Sequence, residues 1–112
     1  GILVVGKDGE ILFYNQRFLE VWEIPEQTLA ARSDKDAVRA VLDKLADPEE
    51  FLETIDYLYR HPHVKDQVEI YLKDGRILER YTAPVVDADD FHNGRIWYFR
   101  DITKRKRAEQ SI

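Results

Sequence analysis

Few residues in this 112-residue chain have the types and spacing that chemistry needs. Two of its three histidines flank a proline in His61-Pro62-His63. The third, His92, stands near Asp89 and Asp90, and that spacing matches no defined metal site. Cysteine is absent, which removes thiolate nucleophiles, disulfides and cysteine-based zinc sites. No Ser/His/Asp ordering carries a supporting motif, and no glycine-rich phosphate loop occurs. The many carboxylates cluster at helix starts and loops, where capping and solubility account for them. The chain therefore reads as non-catalytic. One charge pair stands out. If a hairpin folds symmetrically about the loop from Asp87 to Asn93, Arg80 lies near Asp101 on the facing strand. Opposed charges of this kind stabilise a sheet by ~0.2–1 kcal/mol. The alternative chemistry for Arg80 is to meet an anionic ligand that competes with Asp101.

The elements that must position these residues are legible. Asp8-Gly9, Asp74-Gly75 and Asn93-Gly94 are each flanked by strand-like runs, and Asx-Gly pairs supply the positive φ that hairpins favour. Gly1 to Val5 and Glu10 to Tyr14 read as two strands. Asn15 caps a short helix through Trp22, with Phe18, Leu19 and Trp22 on one face, and Pro25 stops it. Ser33 caps a second helix, with acidic residues Asp34 and Asp36 in its first turn and Val38, Val41, Leu42 and Leu45 at helical spacing. Asp47-Pro48-Glu49-Glu50 starts a third, with Asp47 as cap and Pro48 at the first helical position. Phe51, Ile55, Leu58 and Tyr59 supply its buried face, and His61-Pro62 ends it. Gln67 to Lys73, Arg76 to Val86 and Gly94 to Thr103 are the remaining strands, with a polar loop at Asp87-Ala88-Asp89-Asp90. The order β-β-α-α-α-β-β-β specifies an α+β fold, with a mostly antiparallel sheet covered by helices on one face.

Hydrophobic residues make up 44% of the chain, including two Trp, six Tyr and five Phe, which is enough for one packed core. Charged residues make up 35%, and the net charge of −5 gives no general reason to bind nucleic acid or an anionic membrane. No run reaches the length of a membrane span, and no leader is visible. The lack of Met and the abrupt start on a strand-like run suggest a segment of a longer protein. A cytoplasmic setting is consistent with the absence of cysteine.

This order of elements, with these turns, resembles the PAS domain, a sensory and dimerisation module of signalling proteins. Gly1-Ile2-Leu3-Val4-Val5 with Asp8-Gly9 and Ile11 looks like its first hairpin. Tyr14-Asn15-Gln16-Arg17-Phe18 looks like the entry to its first helix. Asp74-Gly75-Arg76 followed by Pro84-Val85 looks like its central hairpin. Gly94-Arg95 through Asp101-Ile102-Thr103-Lys104-Arg105-Lys106 looks like its last strand and linker. Two departures are Gly6, where an acidic residue is common, and Lys104, where Glu is common. The resemblance implies a five-stranded antiparallel sheet of spatial order 2-1-5-4-3, with helices on its inner face that can enclose a small-molecule cavity. It implies a sensory domain over residues 1–103 and the start of a signalling helix over 104–112. Such domains usually precede a histidine kinase, a diguanylate cyclase or a similar covalently linked output module.

The resemblance also turns the face carrying Leu78, Arg80 and Thr82 inward, where an Arg is costly unless paired. The expected cavity is lined by Trp22, Ile55 and Leu58 from the helices. The sheet adds Val68, Ile70, Leu78, Arg80, Thr82, Trp97 and Phe99. The expected signal relay runs through Arg80, Asp101, Ile102 and Thr103 to the exit helix. Ile77, Tyr81, Ala83, Ile96 and Tyr98 fall on the outer face, with Glu79 and Arg100 diagonal to each other there. So large an apolar set marks a homodimer face or the seat of a further helix. No cofactor is required. His61 and His63 lie near where some haem-binding PAS domains place an axial ligand, but the segment reads as a solvated turn. Flavin photochemistry through a cysteine adduct is excluded, whereas non-covalent flavin is not. Lys104-Arg105-Lys106-Arg107 is expected to open a helix capped by Thr103. Four cations there oppose the helix dipole and leave the joint easily shifted, unless acidic neighbours compensate. Two rivals to a ligand-sensing module are a ligand-free PAS domain that dimerises and relays, and a small α+β enzyme or carrier.

Overall fold

The computed structural model describes residues 1–30, 32–86 and 92–110, without the side chains of Asp34, His92, Asn93 and Gln110. The chain runs β1 (Ile2–Gly6), β2 (Ile11–Tyr14), α1 (Gln16–Trp22), a 3₁₀ turn (Glu26–Leu29), α2 (Asp34–Leu42), α3 (Pro48–Arg60), β3 (Asp66–Tyr71), β4 (Ile77–Val86), β5 (His92–Asp101) and α4 (Thr103–Gln110). The strands form one antiparallel sheet in the order β2-β1-β5-β4-β3, as expected. The Asp87–Asp90 loop and the acidic neighbours of His92 lie outside the described residues.

Local chemistry sets the helix starts. Asn15 Oδ1 accepts the amide of Phe18 at 3.0 Å and that of Ile2 at 2.9 Å, so one cap also ties α1 to the first strand. Ser33 Oγ accepts from the Lys35 amide, and Asp47 Oδ1 from the Glu50 amide at 3.1 Å. These caps satisfy amides that a helix start otherwise leaves without partners. Helix α1 ends where Glu23 turns left-handed, before Pro25. The 3₁₀ turn that follows was not foreseen. It buries Leu29 in a segment too short for periodicity to reveal.

Inward residues follow strict alternation: Leu78, Arg80 and Thr82 on β4, and Arg95, Trp97 and Phe99 on β5, are all buried. With Trp22, Phe18, Phe51 and Leu58 they place the core between the sheet and the helices.

The β4–β5 register corrects one expectation. Strand β5 begins at His92, earlier than an Asn93-Gly94 turn allows, and a bulge at Val85/Val86 absorbs part of the offset. Arg80 therefore faces Phe99, and Leu78 faces Asp101. Asn93-Gly94 is part of the strand, and Gly94 lies opposite Gly6 of β1. Glu79 and Arg100 prove to be directly opposed rather than diagonal, and they bond at 3.1 Å.

Candidate functional site

Helix α3 and the sheet bring most of the expected cavity residues together, but they divide them between two spaces. Trp22, Ile55, Trp97 and Phe99 line an apolar crevice of about 40 Å³. Val68, Ile70 and Arg80 line a more polar pocket of about 110 Å³ beside the start of α3. Leu58 borders a cleft at the other end of α3, next to Gly94 and Arg95. Leu78 and Thr82 are fully buried in the packing. Aromatic rings fill much of the interior: Trp22 meets Phe99 edge-on at 5.1 Å and Phe51 at 6.5 Å. Ligand pockets for drug-sized molecules span roughly 300–1,000 Å³. The apolar crevice is far smaller, so haem or flavin would need the core repacked.

Arg80 is held differently from the sequence expectation. Its Nη2 donates to Asp66 Oδ2 at 3.3 Å, across the β3–β4 ladder, and not to Asp101. Asp66 sits at the first position of β3, within reach of the inward face. The guanidinium lies against Phe51 and Trp97, at 5.8 and 5.5 Å from the ring centres. Burial pulls its pKa down, and the Asp66 carboxylate pushes back.

Arg95 was missed as a functional candidate. It is buried on the other side of Trp97, with its Cζ 5.9 Å from that ring. Nη1 donates to Val64 O at 2.9 Å and to Thr82 Oγ1 at 3.2 Å, while Nη2 donates to Pro62 O at 3.2 Å and Leu58 O at 3.4 Å. These carbonyls end α3 and open the loop after it. Alternation with Trp97 and Phe99 is the signal that could have placed Arg95 inward.

At the exit, Asp101 Oδ1 accepts from both the amide and the hydroxyl of Thr103. The Ile77 amide donates to Thr103 Oγ1 at 2.8 Å, and Ile102 is buried. Asp101, rather than the Thr103 hydroxyl, therefore satisfies the first amide of α4, while the hydroxyl pins that turn to β4. Arg76 is the cation near Asp101, with Nη1 at 3.8 Å from Oδ2. The same guanidinium donates to Val21 O at 2.7 Å and to Asp74 Oδ2 at 2.9 Å. It joins the end of α1, the β3–β4 turn and the last strand. Its backbone amide and then its side chain hold the Asp74 carboxyl below its usual range. Arg76, not Arg80, is therefore the arginine beside Asp101.

The basic run after Thr103 is compensated. Lys106 Nζ lies 3.0 Å from Glu69 Oε2, and Arg105 lies 3.6 Å from Glu79. The Lys106–Glu69 bond pushes the Lys pKa up and the Glu pKa down. On the outer face, Tyr81 and Tyr98 oppose each other, both exposed, beside half-buried Ile96. Ile77 and Ala83 share the strand face but are already buried within the chain. His61 and His63 are exposed, and His61 Nδ1 sits 2.9 Å from Tyr57 O at the end of α3. Among the described residues, no three His, Asp or Glu converge as a metal site. No helix among them is long and apolar enough to cross a membrane.

A family model described as PAS fold matches residues 1–110. The chain belongs to the PAS fold family. The search of curated proteins returned no match. Among solved structures, the sensor region of a sensor histidine kinase aligns with a TM-score of 0.69 at 18% identity over 95% of this chain. The chain spans only 40% of that structure's length. The PAS domain of Bordetella pertussis BvgS aligns with a TM-score of 0.67 at 21% identity, covering 98% of this chain and 82% of that one. The N-terminal domain of a diguanylate cyclase with PAS/PAC sensor from Marinobacter aquaeolei aligns with a TM-score of 0.67 at 11% identity, covering 94% and 96%. At these identities the likeness is one of fold. The PAS sheet order and helix placement are those described above.

Proposed function

We propose that this PAS domain is a non-catalytic sensory and relay module, covalently joined to an output module of kinase or cyclase type. The observation that carries the reading is the joint at the end of β5. Asp101 holds the start of α4, Thr103 pins it to Ile77, and Arg76 links Asp101 to the end of α1. A change in how α1 and the other helices pack on the sheet reaches Arg76, then Asp101, then the exit helix. The test is Asp101→Ala in the full-length protein. Losing a cap costs about 1 kcal/mol. The domain therefore stays folded by circular dichroism while the output stops responding to its stimulus. A variant that signals normally would overturn the relay.

The small volume of the apolar crevice favours relay without a large bound cofactor. We assign a homodimer contact to the outer face around Tyr81 and Tyr98, because two exposed opposed aromatics beside Ile96 form an unpartnered apolar strip. Tyr98→Glu should convert a dimer seen by light scattering into a monomer. A wild-type monomer, or a variant that stays dimeric, would remove this assignment. The expected setting is the cytoplasm, which fractionation of the full-length protein checks.

A further inference from the structure

The two inner spaces meet at one side chain. Phe51 is the residue common to both linings, with the apolar crevice on one side and the Arg80 pocket on the other. Two buried side-chain donors among the described residues have no partner, Trp22 Nε1 and Arg80 Nε. Their side chains flank Phe51: the Trp22 ring lies 6.5 Å from it, and the Arg80 guanidinium carbon lies 5.8 Å from it. A buried donor without an acceptor is unfavourable. Of the two, Arg80 Nε is the donor that an acceptor on a bound molecule beside Phe51 would satisfy.

We propose that Phe51 is a movable partition, and that swinging it aside opens a site for a small monocarboxylate with an apolar body, such as an arylacetate. The apolar crevice takes the ring, beside Trp22, Phe18 and Phe99, and the carboxylate meets Arg80. Size agrees with this assignment. The spaces of about 40 and 110 Å³ join when the partition moves. A cavity of about 150 Å³ holds benzene, and the volume that the Phe51 ring vacates is what admits the carboxymethyl group.

Charge sets the anion. Arg80 and Arg95 lie against the same Trp97 ring, and Asp66 is the carboxylate bonded to Arg80. Those two guanidiniums are the fully buried charges there, whereas the Asp66 side chain is partly exposed. The pocket wall also holds Asp47, Glu50 and Glu69, of which Glu69 is engaged by Lys106. Those carboxylates repel a second or third negative charge on a ligand, so one carboxylate is accepted and a polycarboxylate is not. For what binding would accomplish, this inference rests on the sensory reading, since the ligand would press on Trp97 and Phe99 of the strand that leads to Asp101. Binding itself is measured without any output.

The test uses the 112-residue chain and phenylacetate. Trp22 and Trp97, its two tryptophans, both line the crevice, so intrinsic fluorescence reports occupancy. The expected result is a saturable fluorescence change, confirmed by calorimetry. Phenylacetamide, the neutral analogue, should bind about tenfold more weakly or worse, the loss of a charge-assisted hydrogen bond. Citrate should give no saturable response. If the closed partition dominates at about nine in ten molecules, Phe51→Ala tightens phenylacetate about tenfold by removing the opening step. Phe51→Leu, gentler on the fold, tightens it less but in the same direction. Arg80→Met should erase the preference for phenylacetate over the amide.

Equal affinity for acid and amide, saturable citrate binding, or unchanged affinity in both Phe51 variants would overturn the proposal, as would no binding at all. None of those outcomes touches the Asp101 coupling. Conversely, loss of coupling evidence with binding intact would remove the relay and leave the site.

Discussion

Replacing Arg95 by Met is expected to lower stability by about 3–5 kcal/mol, read as a fall in the urea midpoint at unchanged slope. The size follows from what the guanidinium satisfies. It is only 2% exposed and reaches three carbonyls and one hydroxyl. Leu58 O keeps a second donor, the His61 amide at 3.3 Å, so its loss is partial. Val64 O and Pro62 O would lose the charged donor that holds them. Hydrogen bonds to a charged group are worth about 1.5–3 kcal/mol each, more than neutral ones. No carboxylate is within bonding distance of Arg95 among the described residues, so carbonyls take the place of an ion-pair partner. The C-terminal end of α3 supplies negative dipole charge, and the Trp97 face adds a cation–π contact. Burial pulls the pKa of this guanidinium down, which is the price of that arrangement. Arg95→Lys should recover less than half of the loss, because one ammonium cannot span the same fork of acceptors. A loss below about 1 kcal/mol in the Met variant would mean that water replaces the guanidinium freely.

Arg95 also shows what could and could not be read from the residues. Alternation through Trp97 and Phe99 places it inward, but no local pattern reveals that the end of α3 waits there to be capped. The helix starts at Asn15, Ser33 and Asp47 were legible because a cap acts within three residues of itself. Alternation put Leu78, Arg80 and Thr82 on one face, while the sheet order and the turning of that face to the core came from the family resemblance. Register was harder. It depends on where a turn begins and on a bulge at Val85/Val86, and a slip of one or two residues redirects every pair. Arg80 was correctly placed on the buried face and wrongly paired with Asp101. Its true partner, Asp66, lies on the other neighbouring strand. Arg76 escaped notice because its contacts at Val21 and Asp101 are tertiary, distant in sequence on both sides. The division of the cavity by Phe51 is likewise a packing outcome. The sequence places that ring on the buried face of α3 but does not say which space it fills.

Gly94→Ala is the second substitution expected to be severe, at about 3 kcal/mol or more, because a close backbone contact and an unfavourable φ act together. For a domain of this size that corresponds to a fall in thermal midpoint of roughly 10–20 °C. The residue was legible as a glycine that the backbone requires, but the reason is not a turn. Gly94 lies within β5, opposite Gly6, at φ +140°. A Cβ there would sit 2.1 Å from Val5 O and 3.0 Å from the Gly6 Cα. Both neighbours are backbone, so no side chain can swing away. Relief requires β1 and β5 to separate at the centre of the sheet, next to the buried Arg95. Gly75 is the control. It also has a positive φ, +92°, but its nearest neighbour is the Arg107 guanidinium at 3.5 Å. Gly75→Ala bears only the conformational cost, about 1–2 kcal/mol. If both substitutions lowered the midpoint equally, the close approach of β1 and β5 would not be what requires glycine at position 94. If Gly94→Ala alone were severe, the two central strands are packed too closely there for any side chain, and the joint leading to Asp101 is anchored at its far end.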